Sequence, residues 1–205
     1  RQYLILVKAA LLNQAVKKNI VYHGHTIQAL LKDHYWTLKV KLIAGMEYRI
    51  EQAMIKQNLT RDEAIQYIFE IDKTRKKWIK FLHGTDWDDP TLFDLVLNIQ
   101  VMDPDAASEA VIALARRDPF CQNEISDKII RQMHLVSKAE VALLEHDETK
   151  TLNVDMDCRE QGIIELKGTL EEQKLGNIIK EIVRTVEGIK EIKDNFTYTG
   201  PVDKN

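Results

Sequence analysis

Cationic side chains recur in this 205-residue chain where they could gather around an anion. The densest run is Asp72-Lys73-Thr74-Arg75-Lys76-Lys77-Trp78-Ile79-Lys80. Lys73, Lys76, Lys77 and Lys80 fall at i, i+3, i+4 and i+7, the spacing of one helix side. Arg75 stands beside them, placed to turn inward with Asp72. Arg49 opens a second basic position in Met46-Glu47-Tyr48-Arg49-Ile50-Glu51. A guanidinium is a planar fork that grips phosphate through two hydrogen bonds, and an ammonium is a compact point charge. Together they suit phosphoryl chemistry, which asks for positioning and charge neutralisation more than for covalent catalysis. The plainer reading of the basic run is a solvated helix face. Arg49 between Glu47 and Glu51 likewise reads as ordinary surface charge.

Other chemistry is poorly represented. His23 and His25 lie two apart at the end of an apolar run and face the same way. No third ligand follows at metal spacing, so a structural pair bonded to backbone is the stronger reading, and no metal site is assigned. The remaining histidines are scattered. No Gly-x-Ser-x-Gly elbow occurs. No Gly-x-x-x-x-Gly-Lys-[Ser/Thr] loop occurs anywhere in the 205 residues, so the chain lacks its own backbone cradle for a β-phosphate. Trp36, Trp78 and Trp87 read as core or hinge packing rather than base-stacking platforms.

The elements that must position these residues follow from periodicity. Residues 3–16 carry Leu4, Val7, Leu11, Leu12 and Ala15 on one helical stripe. Residues 19–22 are a short β-prone run, 27–32 a short helix, and 37–44 a strand. Residues 46–57 form a helix. Thr60-Arg61-Asp62-Glu63 has the capping-box form and starts a long helix to about Leu82. Residues 92–98 read as a strand, and Asp103-Pro104 starts a helix to about Arg116. This alternation predicts a parallel sheet covered by helices, but with too few strands for a complete doubly wound core. Arg117-Asp118-Pro119-Phe120 reads as a domain boundary. Beyond it come a helix over 126–145, strands near 151–156 and 162–169, an amphipathic helix over 175–186 and a strand over 188–196. The expected layout is therefore two domains, 1–120 and 121–205, the second a small αββαβ module.

Composition narrows the class further. With 44% hydrophobic and 30% charged residues the chain reads as an ordered domain protein. No apolar run is long enough for a transmembrane segment. Beginning at Arg1-Gln2 with no Met, it reads as a fragment without a signal peptide. Cys121 and Cys158, far apart, read as free thiols of a reducing, cytoplasmic compartment. Residues 1–120 carry 17 basic and 15 acidic side chains, and residues 121–205 carry 12 and 17. The first part thus has an anion-binding balance and the second does not. With the basic residues clustered in one helix rather than spread over a broad face, nucleic acid is not an expected partner.

Residues 3–115 resemble the cytidylate-kinase-like family of nucleoside monophosphate kinases. The resemblance rests on Tyr22-His23-Gly24-His25, the strand over 38–44 with the helix bearing Arg49, the helix bearing Asp72 and Arg75, Asp86-Trp87-Asp88-Asp89-Pro90, and Phe93-Asp94-Leu95-Val96-Leu97-Asn98. It implies a partial P-loop-kinase-like α/β fold, nucleotide as ligand, and ATP with Mg²⁺ as cofactors. It further implies that Arg75 and Asp72 are catalytic residues on a mobile lid, and that Arg49, His23, Lys76 and Lys77 contact nucleotide. Without the loop, this chain alone is expected not to transfer phosphate.

Residues 127–196 resemble a BON domain, a small bacterial module, through Gly162-Ile163-Ile164-Glu165-Leu166-Lys167-Gly168-Thr169-Leu170 and Val186-Glu187-Gly188-Ile189-Lys190-Glu191-Ile192-Lys193-Asp194-Asn195. That resemblance implies a protein or lipid partner and no catalytic residues. The alternative function is a non-catalytic binding or regulatory protein, in which a kinase-like fold has lost its chemistry and the BON-like module recruits a partner.

Overall fold

A computed structural model describes residues 2–24, 37–118 and 120–200. In chain order the elements are α1 (Gln2–Ala15), β1 (Val40–Ile43), α2 (Met46–Gln57), α3 (Arg61–His83), β2 (Leu95–Asn98), α4 (Pro104–Ala115), α5 (Glu124–Leu144), β3 (Asp155–Glu160), β4 (Ile163–Leu170), α6 (Gln173–Arg184) and β5 (Glu191–Tyr198). The fold is mixed α/β. It divides into two compact units, residues 22–122 and residues 1–21 with 123–205.

In the first unit β1 and β2 pair in parallel, with Val40 opposite Leu95 and Ile43 opposite Asn98. Parallel neighbours need a crossover, and α2 with α3 provides it. These two helices form a hairpin. Asn58 closes α2 in the left-handed conformation, at φ 53°, which asparagine tolerates better than most residues. Thr60 and Glu63 then complete a reciprocal capping box at the start of α3, as their spacing predicts. Ile50 and Ala53 of α2 pack on Ala64 and Ile68 of α3. The strand expected from residue 92 begins three residues later, because Asp89 caps a 3₁₀ turn over Pro90–Leu92.

The β-prone run at 19–22 is no strand. Val21 is fully exposed, and among the described residues nothing pairs with this segment. β-propensity realises a strand only where a partner offers a ladder. The helix expected at 27–32 lies outside the described residues, as do His25, His34 and Trp36.

The second unit has the expected αββαβ order. β4 is central, antiparallel to β3 and parallel to β5. Gly162, at φ 89°, makes the tight turn between β3 and β4. The core joins Ile164, Leu166 and Leu170 of β4 to Ile179 and Val183 of α6 and Val136, Ala139 and Leu143 of α5. Both cysteines are free; burial pushes the Cys158 thiol above its usual value. No helix among the described residues is long and apolar enough to cross a membrane.

A division at residue 120 would leave α1 with the first unit, but α1 groups with the second. It packs on α5, where Lys8 pairs with Glu140 at 3.3 Å and Leu12 is fully buried. Periodicity identifies the apolar stripe of α1 but not the surface that covers it.

Burial lowers the affinity of His134 on α5 for a proton, and the charges of Lys138 and Lys17 act in the same direction. The folded chain therefore takes up this proton later than the unfolded chain as pH falls. Stability from this group is complete above the unfolded-state value of 6.5 and declines as pH drops toward the lower folded-state value. A proton-NMR titration of His134 should give a midpoint below that of a free histidine. A midpoint at or above the free value would contradict this placement.

Candidate functional site

β1 ends at Ile43, and Gly45 turns the chain into α2. The Gly45 N–H donates to the Gln100 side chain at 3.2 Å, which ties the start of α2 to the segment after β2. One turn into α2, Arg49 points at α3. Its Nη1 and Nη2 donate to the two carboxylate oxygens of Asp72, each at 2.8 Å. Both side chains are largely covered. This bidentate pair locks the two helices at a fixed spacing. A guanidinium has five N–H donors, so three on Arg49 remain beyond the two given to Asp72. The flanking acids leave Arg49 to Asp72: Glu47 pairs instead with Arg61, at 2.7 Å.

Arg75 lies one turn beyond Asp72. At about 100° per residue it falls on the side of α3 that carries Ile68 and Ile79, both buried. Arg75 itself is half-buried. Among the described residues it has no ion-pair or hydrogen-bond partner. The two arginines thus differ: Arg49 is held, and Arg75 has its charge unneutralised.

Lys76 turns the other way and pairs with Asp88, whose other oxygen lies 3.8 Å from Lys41. The hydrogen bond to Asp88 holds the Lys76 ammonium above its ordinary value, and the same bond holds the Asp88 carboxyl below its own. Lys41 is a residue that sequence reasoning missed. Its ammonium donates to the Trp87 carbonyl at 2.9 Å and sits 5.2 Å from the Trp87 ring centre and 5.1 Å from that of Phe93. The available signal was the Lys39-x-Lys41 alternation facing an Asp-rich loop. Lys77 lies across α3 from Arg75 and is exposed, so these two cations do not converge. His23 is exposed and belongs to no regular element. Trp78 is also substantially exposed rather than packed into a core.

The arrangement can present guanidinium charge to a phosphate beside the exit of β1. Among the described residues no group of three or more His, Cys, Asp or Glu could hold a metal.

Residues 1–101 match the model of the Cytidylate kinase-like family. That match contains Arg49, Asp72 and Arg75 and the whole β1–β2 unit up to Val101. Curated relatives agree with it. A cytidylate kinase of Sulfurisphaera tokodaii is 30% identical over 99 residues, 48% of this chain and 54% of that enzyme. One from Ignicoccus hospitalis is 28% identical over 102 residues, 49% of this chain and 58% of the enzyme. One from Thermoplasma volcanium is 30% identical over 117 residues, 56% of this chain and 60% of the enzyme. The chain spans a little over half the length of these relatives.

Proposed function

We propose that residues 22–122 are the phosphate-handling part of a nucleotide site. A protein that joins this segment to a phosphate-binding loop transfers the γ-phosphoryl group of ATP to a nucleoside monophosphate, CMP being the first choice. The observation that carries this reading is the pairing of Arg49 with Asp72, with a half-buried Arg75 one turn on that has no ion-pair partner among the described residues, inside the stretch that matches the cytidylate-kinase-like family.

The roles assigned in this reading are as follows. Asp72 is a positioning residue that orients the Arg49 fork. Arg49 offers its remaining donors to the phosphates of the donor nucleotide. Arg75 supplies positive charge where negative charge spreads during transfer. Magnesium, when bound, neutralises and bridges the phosphate oxygens. The described residues do not fit a magnesium site by themselves, because Asp72 is engaged by Arg49 and Asp88 by Lys76 and Lys41. None of the roles above runs through the ion. This reading keeps His23 and Lys76 only at the margin of the site and leaves out Lys77, which lies across α3 from Arg75.

The C-terminal unit is proposed as a BON-like recruitment module. Its acidic balance favours a basic protein surface over anionic lipid. The compartment assigned is the cytoplasm, with no nucleic-acid partner.

A fluorescent ATP analogue titrated into this chain should bind weakly, and Arg49→Lys, which keeps a cation near Asp72 but removes the fork, should weaken it further. With ATP, Mg²⁺ and CMP this chain alone should form no CDP. Equal binding by wild type and Arg49→Lys would overturn the assignment of Arg49. Magnesium-dependent CDP formation would overturn the need for a separate loop.

A further inference from the structure

One face of α3, next to Arg75, carries an aromatic stripe that the site just described does not use. Tyr67, Ile71, Thr74, Trp78 and Phe81 follow one another at intervals of four, three, four and three residues, the seam spacing of a coiled coil. A core-facing helix would bury such a seam. Here Tyr67 is 40% exposed, Trp78 45% and Phe81 81%. The Trp78 and Phe81 rings stack loosely on each other, 6.5 Å apart, and form one aromatic patch. An open groove of about 660 Å³ runs beside Tyr67, Ile71 and Thr74, bordered by Glu63, Glu70 and Arg75.

The charges beside this seam say what fits it. Glu70 flanks the N-terminal half and Lys77 the C-terminal half. Each occupies the position directly before a seam residue, Ile71 and Trp78 respectively. Place a second α3 antiparallel so that Ile71 meets Thr74 of the second copy. Tyr67 then meets Trp78 of that copy, a large aromatic pair at each end of a narrow centre. In the same register Glu70 lies against Lys77 of the second copy, and the two-fold axis repeats the pair. The seam is thus complementary to itself in both shape and charge, as a two-fold interface requires.

We infer that this face of α3 is a homodimer interface, with antiparallel α3 helices joined through Tyr67, Ile71, Thr74 and Trp78 and oriented by Glu70 and Lys77. The interface is small, one helix from each copy, so the dimer is a weak and reversible one. Arg49 and Asp72 do not line the groove, but Arg75 borders it, so the interface and the nucleotide reading meet at that one residue.

Sedimentation velocity over a series of concentrations tests it on the 205-residue chain. The 23.8 kDa chain should move toward twice that mass as concentration rises. Trp78→Glu should hold it monomeric, with an unchanged circular dichroism spectrum because the ring is exposed. Lys77→Glu should weaken the dimer about fivefold or more by facing acid against acid. The double variant Glu70→Lys with Lys77→Glu should recover the wild-type dimer, since it exchanges the charges and keeps their pairing. A chain that is monomeric at every concentration overturns the inference. So does a dimer indifferent to Trp78→Glu, and so does a double variant as weak as Lys77→Glu alone.

Discussion

Arg75→Ala should lower turnover about a hundredfold or more in a protein that carries this segment together with a phosphate-binding loop, while ATP affinity changes much less. The expectation comes from what surrounds the guanidinium. Arg75 is half-buried on the same side of α3 as Ile68 and Ile79, and no carboxylate among the described residues neutralises it. A cation so placed gains most when charge redistributes over a transferring phosphoryl group, so its removal falls on the chemical step rather than on binding. Lys76, its neighbour in the chain, provides the internal control. It is exposed and directed at Asp88, and exposed ion pairs contribute little because solvent screens them. Lys76→Ala should therefore leave kcat within a small factor of wild type. Steady-state kinetics on both variants decide the matter. Similar small effects would make the whole basic run a solvated surface.

The second large effect concerns stability. Leu166→Ala should destabilise the C-terminal unit by about 2–5 kcal/mol, the range for emptying a well-packed leucine site. Leu166 is fully buried on β4, the central strand, and belongs to the cluster formed with α5 and α6. Neither neighbouring strand can move in to fill the space without breaking its ladder to β4. The three tryptophans all fall at or before residue 87, outside the C-terminal unit, so they report on a different part of the chain. Urea unfolding followed by circular dichroism should show an early transition in Leu166→Ala that tryptophan fluorescence does not share. An unchanged midpoint would mean that Leu166 is not packed as described.

Much of this architecture was readable along the chain. Thr60 followed by Glu63 marks a helix start, because the motif satisfies backbone groups within a few residues. The αββαβ order of the second unit follows from a change of apolar period, from two to 3.6 and back, with Gly162 at the turn. The parallel pairing of β1 with β2 follows from the helices between them. All of these are consequences of short-range geometry.

What only the tertiary structure decided depends on groups far apart in sequence. Nothing local distinguishes Arg49 bound to Asp72, 23 positions away, from Arg49 beside Glu47 or Glu51. An ion pair leaves no period in a sequence, and its partner is chosen by how two helices approach. The same holds for Lys76 and Lys41, which meet at Asp88, and for Lys77, which shares a basic run with Arg75 but faces away from it. The residues at 19–22 have the composition of a strand and, among the described residues, no ladder to join. The stripe on α1 announces a buried face, but only the fold shows that α5 covers it. Apolar periodicity states that a surface must be buried. Burial is non-directional, so the identity of the covering surface is settled only when the whole chain packs.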